Sequence, residues 1–596
     1  MIKHHVTTLV GALLLVVGCA PEAQLQRAPH PQESGTPFPS GWAFSAQSVS
    51  PARATGGMVT TTDRVASEVG AEMLRRGGNA VDAAIATFFA LAVVNPEAGN
   101  IGGGGFLVAR MADGSAASLD FREKAPLAAT RDMFLDAAGN LSERSVVGHL
   151  AAGVPGSVAG MWEAHRRWGS MPWADLLLPA VNLADGIVVH ERLARSLRSN
   201  ESYLRRFPAT AAVFLPGGQP PRVGDRWAQP DLAATLRRIA RDGHDGFYRG
   251  RTAELVAAEM RRGGGIITAQ DLAGYRAVWR DPVSFTYRGH RIISMPSPSS
   301  GGATLAAILK TLEGYDLRAL GWHSPEHVHL WTEAVRRAYA DRNAYLADPD
   351  FVPQPTTRMI SDAYAAERRR TIRTDRATPS SEVAPGLGPS RTEGTETTHF
   401  SVVDRAGNAV AITTTINSLY GNAVVVSGAG FLLNNEMDDF AAKPGTANQF
   451  GLVQGEANAI QPGKRMLSAM TPTIVLAPDG RVRLVTGTPG GSTIITTVAQ
   501  VISDVVDWNM DLAAATAAPR LHHQHLPDVL RFERGGLSAG TVARLGALGH
   551  RVEERDGFQG DVQSIMVLPD GTLVGAADPR RGGAAVGVAE ARRVVQ

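Results

Sequence analysis

A threonine pair, Thr397-Thr398, follows a stretch from Thr374 to Glu396 in which Pro, Ser, Gly, Thr and Glu almost exclude large apolar residues. That composition reads as an exposed loop. It runs directly into Phe400, Val402 and Val403, which belong in a buried strand. A loose segment entering a buried strand is a place where a chain can be cut to expose a new terminus. A threonine hydroxyl alone is a poor nucleophile at neutral pH and needs a base within reach. At an N-terminus it carries one, because its α-amine, with an ordinary pKa of about 8, can take the hydroxyl proton directly or through a water. Before cutting, the Thr397 hydroxyl can attack the Glu396 carbonyl in an N-to-O acyl shift, leaving an ester that water hydrolyses.

Four other stretches carry residues suited to the same chemistry. Asp120-Phe121-Arg122-Glu123-Lys124-Ala125-Pro126 holds a guanidinium, which matches a carboxylate with two parallel hydrogen bonds at any working pH. Asn434-Asn435-Glu436-Met437-Asp438-Asp439-Phe440 offers carboxylates for an ammonium. In Thr488-Pro489-Gly490-Gly491-Ser492 the glycines leave backbone amides free to face a developing oxyanion. Lys464-Arg465-Met466-Leu467-Ser468-Ala469-Met470 supplies a hydroxyl. Taken singly, Arg122 reads as a surface ion-pair partner and the acidic stretch as a solvated turn.

In this order, and together with Thr397-Thr398-His399-Phe400-Ser401-Val402-Val403-Asp404, these stretches resemble the gamma-glutamyltranspeptidases of the N-terminal-nucleophile hydrolase superfamily, from about Gly57 to Asp578. The resemblance implies an α/β fold, a four-layer αββα sandwich formed jointly by two products of self-cleavage, a large subunit 52–396 and a small subunit 397–596. It implies that Thr397 is the nucleophile and that Thr415 hydrogen-bonds it. Gly490 and Gly491 would form the oxyanion site. Arg122, Asn417 and Ser468 would hold the substrate α-carboxylate, and Asp439 with Glu436 the α-amine. The implied activity is gamma-glutamyl transfer and glutathione hydrolysis, with glutathione and other gamma-glutamyl donors as substrates. Water, amino acids or peptides would serve as acceptors, and no cofactor is required.

Two departures from the family pattern stand out. Ala469 replaces the second of two adjacent serines, removing one hydrogen bond worth about 0.5 to 1.5 kcal/mol. Phe450, in the lid-like segment 444–455, keeps the ring of the usual tyrosine and loses its hydroxyl. The alternatives are a cephalosporin or glutaryl acylase, a capsule-type gamma-polyglutamate transpeptidase and an inactive peptide-binding surface lipoprotein. The lid-like segment argues against the second, and intact Thr397, Arg122, Asp439, Gly490 and Gly491 against the third. His522-His523-Gln524-His525 could suggest a metal site, but no catalytic step needs one. Gly102 to Gly105 opens a strand and lacks a following Gly-Lys-Ser/Thr, which excludes a phosphate loop.

The elements that must position these residues follow from periodicity. Asp63–Arg76 and Ala80–Val94 repeat apolar residues at helical spacing around Gly77-Gly78-Asn79, predicting a helical hairpin. Phe106–Ala109 and Ala117–Phe121 predict strands, and the turn at Arg405–Asn408 joins the strand after Thr397 to Ala409–Ile416 as a hairpin. The middle, 155–345, reads as mostly amphipathic helix, as in Glu326–Leu346.

The 596 residues contain 59 Lys and Arg against 57 Asp and Glu, so no electrostatic footing for nucleic acid exists. Lys3, His4 and His5 precede an apolar run, Val6–Val17, too short to span a bilayer comfortably and suited to a signal peptide. It ends in Val16-Val17-Gly18-Cys19, a lipobox-like sequence in which Cys19, the single cysteine, is the lipidation site. Export to the periplasm or cell envelope follows as the expectation, with membrane contact only through that anchor. Residues 20–51, rich in Pro, Gln, Ser and Gly, read as a flexible tether.

Overall fold

The computed structural model describes residues 38–386, 397–443 and 455–589. Outside the described residues lie the signal segment with Cys19, the start of the tether, Glu396 and segment 444–454 with Phe450.

Two seven-stranded antiparallel sheets form the centre of the fold. The first runs in the order Ala584–Val588, Gly57–Thr61, Thr398–Asp404, Ala409–Thr415, Gly104–Arg110, Ala116–Asp120 and Val278–Arg280. The second runs Ala52–Ala54, Leu573–Ala577, Gln563–Val567, Val482–Thr486, Thr473–Leu476, His290–Ser294 and Val283–Tyr287. The sheets face one another, and helices cover the outer side of each.

Strand alternation explains this layering. In the hairpin after Thr397, Phe400, Val402, Val410 and Ile412 pack outward with the helices Arg64–Arg75 and Ala80–Val94. Val403, Ala409 and Ala411 pack inward, against strands of the second sheet. Against that sheet lies helix Gly301–Leu312, and Pro325–Tyr345 and Thr493–Val506 pack on that helix. The expected four-layer sandwich is therefore present.

The predicted helical hairpin forms with its punctuation intact. Asp63 Oδ1 accepts from Val65 N at 2.8 Å, and Asn79 Oδ1 accepts from Val81 N at 2.8 Å, while Asn79 N donates back to Asp82 Oδ2 at 2.9 Å. Gly77, at φ +92, ends the first helix.

Three expectations are corrected. The middle of the chain is not only helical cover: Val283–Tyr287 and His290–Ser294 pair antiparallel and join the second sheet, while Val278–Arg280 closes the first. The helix Pro325–Tyr345 is not amphipathic, since every residue from His327 to Ala344 is buried. Its charges are paired, Glu333 Oε2 lying 2.6 Å from Arg337 Nη1 within the helix, Arg336 Nη2 3.1 Å from Asp528 and Asp341 Oδ1 3.4 Å from Arg368. Residues 38–51 are not tether, because Trp42 is buried and donates its indole N–H to Ala517 O at 2.8 Å. An aromatic pair, Trp42 and Phe44, needs apolar cover that a solvated tether cannot provide.

Residues 380–386 are also held more firmly than their composition suggests. Ser380 N donates to Asp528 Oδ2 at 2.7 Å, His525 Nε2 lies 3.0 and 3.1 Å from the carbonyls of Ser380 and Val383, and Gly386 N donates to Asp341 Oδ1 at 2.8 Å.

Candidate active site

Thr397 is buried and immediately precedes the Thr398–Asp404 strand, in the middle of the first sheet. The register pairs Thr398 with Thr414, and one further step places Thr397 opposite Thr415. Odd-numbered residues of both strands share the inner face, so the two threonines point between the sheets. Thr415 Oγ1 accepts from Asn417 N at 2.8 Å. Asn417 has φ +70, a left-handed conformation that Asn tolerates, and the chain turns sharply there. Its amide then donates to Asn435 O at 2.9 Å, tying the Ala409–Thr415 strand to the acidic segment.

That segment is anchored by Asn434. Its Oδ1 accepts from Gly153 N at 2.9 Å and Glu436 N at 3.0 Å, and its Nδ2 donates to the carbonyls of Gly102 and Gly153 at 2.9 and 2.8 Å. The glycine run is needed for this closeness. A Cβ at Gly103 would stand 1.9 Å from Thr415 O, and one at Gly104 would stand 2.5 Å from Glu123 Oε2. A single turn, Glu436–Asp439, then presents two carboxylates.

Arg122 follows the Ala116–Asp120 strand and is fully buried. Its Nη1 lies 2.7 Å from Glu436 Oε2 and its Nη2 2.5 Å from Asp439 Oδ2. Nη2 also donates to Leu467 O at 3.2 Å. Glu123 Oε2 lies 3.6 Å from Nη1, and neither Glu123 oxygen has a hydrogen-bond partner among the described residues. Three carboxylates thus surround one guanidinium. Burial drives all three carboxyls above their ordinary range, Glu123 to about 8, with Arg122 opposing incompletely. The same carboxylates raise Arg122 despite its burial, so it stays charged.

Ser468 is fixed through its backbone: its N donates to Pro298 O at 2.9 Å, and its carbonyl accepts from Ser300 N at 2.6 Å and Ser300 Oγ at 2.7 Å. Arg342 Nε donates to Ser300 Oγ at 2.9 Å. Gly490 and Gly491, with φ +131 and +55, join the Val482–Thr486 strand to the N-terminus of helix Thr493–Val506. Tyr339 Oη holds this turn by donating to Ser492 O.

One cavity, with about 200 Å3 of empty volume, is lined by Arg122, Thr397, Thr415, Asn417, Glu436, Asp439, Ser468 and Gly491, and also by Ala469, Met470 and Ile494. Of the residues singled out in the described chain, only Gly490 lies outside that lining; it faces an adjoining cavity. Glu123 and Arg342 had no assigned role. Glu123 stands inside the Arg122 stretch, a signal that was available, whereas nothing local marks Arg342.

Histidines do not serve the cavity. His399 bonds Thr413 Oγ1 at 2.8 Å and Ser401 Oγ at 3.1 Å within the sheet, and burial pushes it down to about 3. His522 bonds Thr496 and Gln524, His523 bonds Asp528, and His525 meets backbone carbonyls. Among the described residues, His329, Glu333 and His550 have the spacing of metal ligands. The two rings already share a 2.8 Å hydrogen bond, and Arg336 and Arg337 both hold Glu333.

A family model for gamma-glutamyltranspeptidase matches residues 66–588. The glutathione hydrolase proenzyme of Escherichia coli (strain K12) is 49% identical over 534 residues, covering 89% of this chain and 91% of that protein. Among solved structures, the cephalosporin acylase from Bacillus halodurans aligns with TM-score 0.80 at 28% identity, over 91% of this chain and 97% of that one. The gamma-glutamyltranspeptidase of Helicobacter pylori aligns with TM-score 0.54 at 47% identity, over 54% of this chain and 94% of that one.

Proposed function

The chain belongs to the gamma-glutamyltranspeptidase family, and from that premise we propose that it is a self-processing gamma-glutamyltransferase and glutathione hydrolase with Thr397 as nucleophile. The observation that carries this reading is the cavity that gathers Thr397, Arg122, Glu436 and Asp439. A gamma-glutamyl head group presents a carboxylate and an ammonium on one carbon. Arg122, Asn417 and Ser468 meet the first, and Asp439 with Glu436 the second.

The base is the Thr397 amine. No His, Lys or Cys lines the cavity among the described residues, and both lining carboxylates are engaged by Arg122. In self-cleavage, Thr397 Oγ attacks the Glu396 carbonyl carbon, the C–N bond breaks in favour of a C–O ester and frees the Thr397 amine, and water hydrolyses the ester to the Glu396 carboxylate and the free Thr397 hydroxyl. In turnover, Oγ attacks the γ-carbonyl while its proton passes to the α-amine. The oxyanion is met by backbone N–H groups at Gly490 and Gly491, donors worth about 2.7 to 4 kcal/mol each. Collapse expels the protonated amine product and leaves an ester on Thr397, which water or an amine resolves.

An acylase acting on a glutaryl side chain would need no ammonium site, and the pair of Glu436 and Asp439 in the cavity disfavours it. Export and lipidation at Cys19 complete the proposal, supported by the apolar run and Gly18-Cys19 alone. The test is a denaturing gel of purified protein with a glutathione-cleavage assay. Two bands, with Thr397 at the N-terminus of the smaller, and release of glutamate are expected; an intact chain or inert glutathione would refute the reading.

A further inference from the structure

We propose that Asp561, held by Thr62 and Arg192, is a positioning residue for the Gly490-Gly491 turn, so that residues ahead of the cleavage site set the turnover of those behind it. This rests on the function proposed above. The turn needs support, because the glycines that allow φ +131 and +55 also allow other conformations. Amides aimed at a developing charge act only where they are held in place. Tyr339 fixes the far end of the turn at Ser492. The near end is Thr488, whose Oγ1 donates to Pro489 O at 2.8 Å and accepts from Asp561 N at 2.8 Å.

Residues 559–561 lie directly behind the turn. A Cβ at Gly560 would stand 2.6 Å from Thr488 Oγ1, and one at Gly490 would stand 3.6 Å from Gly560 Cα. Arg520 Nη1 anchors the start of this segment by donating to Gln559 O at 2.6 Å. Its end is anchored from far away in sequence. Thr62, just after strand Gly57–Thr61, donates its hydroxyl to Asp561 Oδ2 at 2.5 Å. Arg192, on helix Glu191–Ser199, donates through Nη1 to the Thr62 hydroxyl and, at 2.6 Å, to the Thr62 carbonyl, while its Nη2 lies 3.0 Å from Glu97 Oε1. Glu97 accepts in turn from Ser196 Oγ. In the processed protein Thr62, Glu97 and Arg192 belong to one subunit, and Thr488 and Asp561 to the other.

Asp561 fills this place at a cost. It is buried, and its Oδ1 accepts no hydrogen bond among the described residues. Arg192 Nη1 stands 3.9 Å from Oδ2. Burial raises the carboxyl to about 6, with Arg192 opposing, Asp578 adding to the rise and Arg581 opposing it. A carboxylate that serves only the fold ordinarily has both oxygens met, as in the Asp578 cluster. A tie from Thr62 to Thr488 instead needs one side-chain oxygen and the backbone N–H of a single residue, and Asp561 supplies both.

The experiment measures kcat and KM for glutathione, and the Ki of a boronic-acid analogue of the gamma-glutamyl group, in processed wild type, Thr62→Val, Thr62→Ser, Asp561→Ala and Arg192→Gln. The boronate takes up Thr397 Oγ and carries a tetrahedral oxyanion into the turn, which unreacted glutathione does not. Thr62→Val and Asp561→Ala should each lower kcat about 10-fold, less than the loss of an oxyanion donor outright, because the turn is displaced and not removed. The boronate Ki should rise by a similar factor, and donor KM should stay within about 2-fold. Thr62→Ser keeps the hydroxyl and should match wild type, and Arg192→Gln should lose less than Thr62→Val. Thr62→Val combined with Asp561→Ala should lose no more than Asp561→Ala alone, as expected of residues in one tie. Should Asp561→Ala stay full length, Thr62→Val and Arg192→Gln decide. Unchanged kcat in Thr62→Val, an unchanged boronate Ki where kcat falls, or equal losses in Thr62→Ser and Thr62→Val overturns the inference alone. No glutathione cleavage by wild type overturns the proposed function and the inference with it.

Discussion

Two of the buried arginine–carboxylate clusters are built to opposite ends. Around Arg580 and Arg520 the groups balance. Arg580 Nε and Nη2 take both oxygens of Glu533 at 2.8 Å, its Nη1 lies 3.1 Å from Asp578, and Arg520 Nη2 meets Asp578 Oδ2 at 2.7 Å. Backbone N–H groups of Val562, Gln559 and Arg520 complete the carboxylates. Although burial alone would raise Asp578, Arg520 and Arg580 hold it below its ordinary range. Around Arg122 the carboxylates outnumber the cations: Glu123, Glu436 and Asp439, equally buried, share Arg122, Arg342 also acts on Asp439, and all three are raised. A closed cluster fixes structure; an over-acidic one beside a cavity keeps an excess of carboxylate, which in the proposed function a ligand ammonium balances.

Thr397→Ala removes the attacking hydroxyl of both cleavage and turnover, so the chain should stay full length and lose more than about 10^4-fold in activity. A gel showing efficient cleavage in that variant would place the nucleophile elsewhere.

Next comes the contrast between clusters. Arg122→Ala and Asp439→Ala should each lower kcat/KM for gamma-glutamyl donors by about 10^2- to 10^3-fold, since each strands a buried charge on enzyme or substrate. Asp578→Asn should instead lower Tm by several degrees and leave donor KM within about 2-fold. Thermal melts and donor kinetics on all three variants decide whether the two clusters differ as described.

The acid excess also has a pH signature. Burial raises Glu123 from 4.5 to about 8 in the folded chain. Between those values the unfolded chain sheds the proton that the folded chain retains. The contribution of Glu123 to stability is therefore full below about pH 4.5 and is lost as pH rises through about 8. Glu123→Gln lacks this term, so the Tm of wild type minus that of the variant should fall between about pH 5 and about pH 8.5. A difference independent of pH would mean that Glu123 ionises normally.

The smallest effect is expected at Ala469, which lines the cavity where the family pattern has a second serine. Ala469→Ser should add one hydrogen bond to the donor α-carboxylate and tighten donor binding several-fold. A neutral-to-charged bond is worth about 1.5 to 3 kcal/mol at most, reduced here by solvent competition. Unchanged donor KM would mean that Arg122, Asn417 and Ser468 already satisfy that carboxylate.

What the sequence disclosed follows from the range over which each signal acts. The helical hairpin and the hairpin after Thr397 were legible because caps, turns and periodicity are local. The Val283–Tyr287 strand was missed although Val283-Ser284-Phe285-Thr286-Tyr287 alternates with period 2, because it lies among helices. The burial of Pro325–Tyr345 was hidden because its charges are neutralised by partners that local sequence does not reveal as buried, Glu333 with Arg336 and Arg337, Arg336 also with Asp528, and Asp341 with Arg368. The site residues were legible as motif segments, while the acid excess was not: it exists only once Arg122, Glu123, Glu436 and Asp439 meet across more than 300 positions of chain. The segment from Phe38 was misread because Trp42, Phe44 and Phe558 gain value only when packed together.

The central claim is that the unbalanced cluster beside Thr397 reads a substrate ammonium. It is tested most directly by comparing kcat/KM for a gamma-glutamyl anilide and for the glutaryl anilide, which lacks the ammonium and the α-carboxylate, in wild type and Asp439→Asn. Wild type should favour the gamma-glutamyl donor by more than about 10^2-fold, as expected when a buried charge loses its partner, and Asp439→Asn should erase most of the preference. Equal use of both donors by wild type, or a preference untouched in Asp439→Asn, would contradict it.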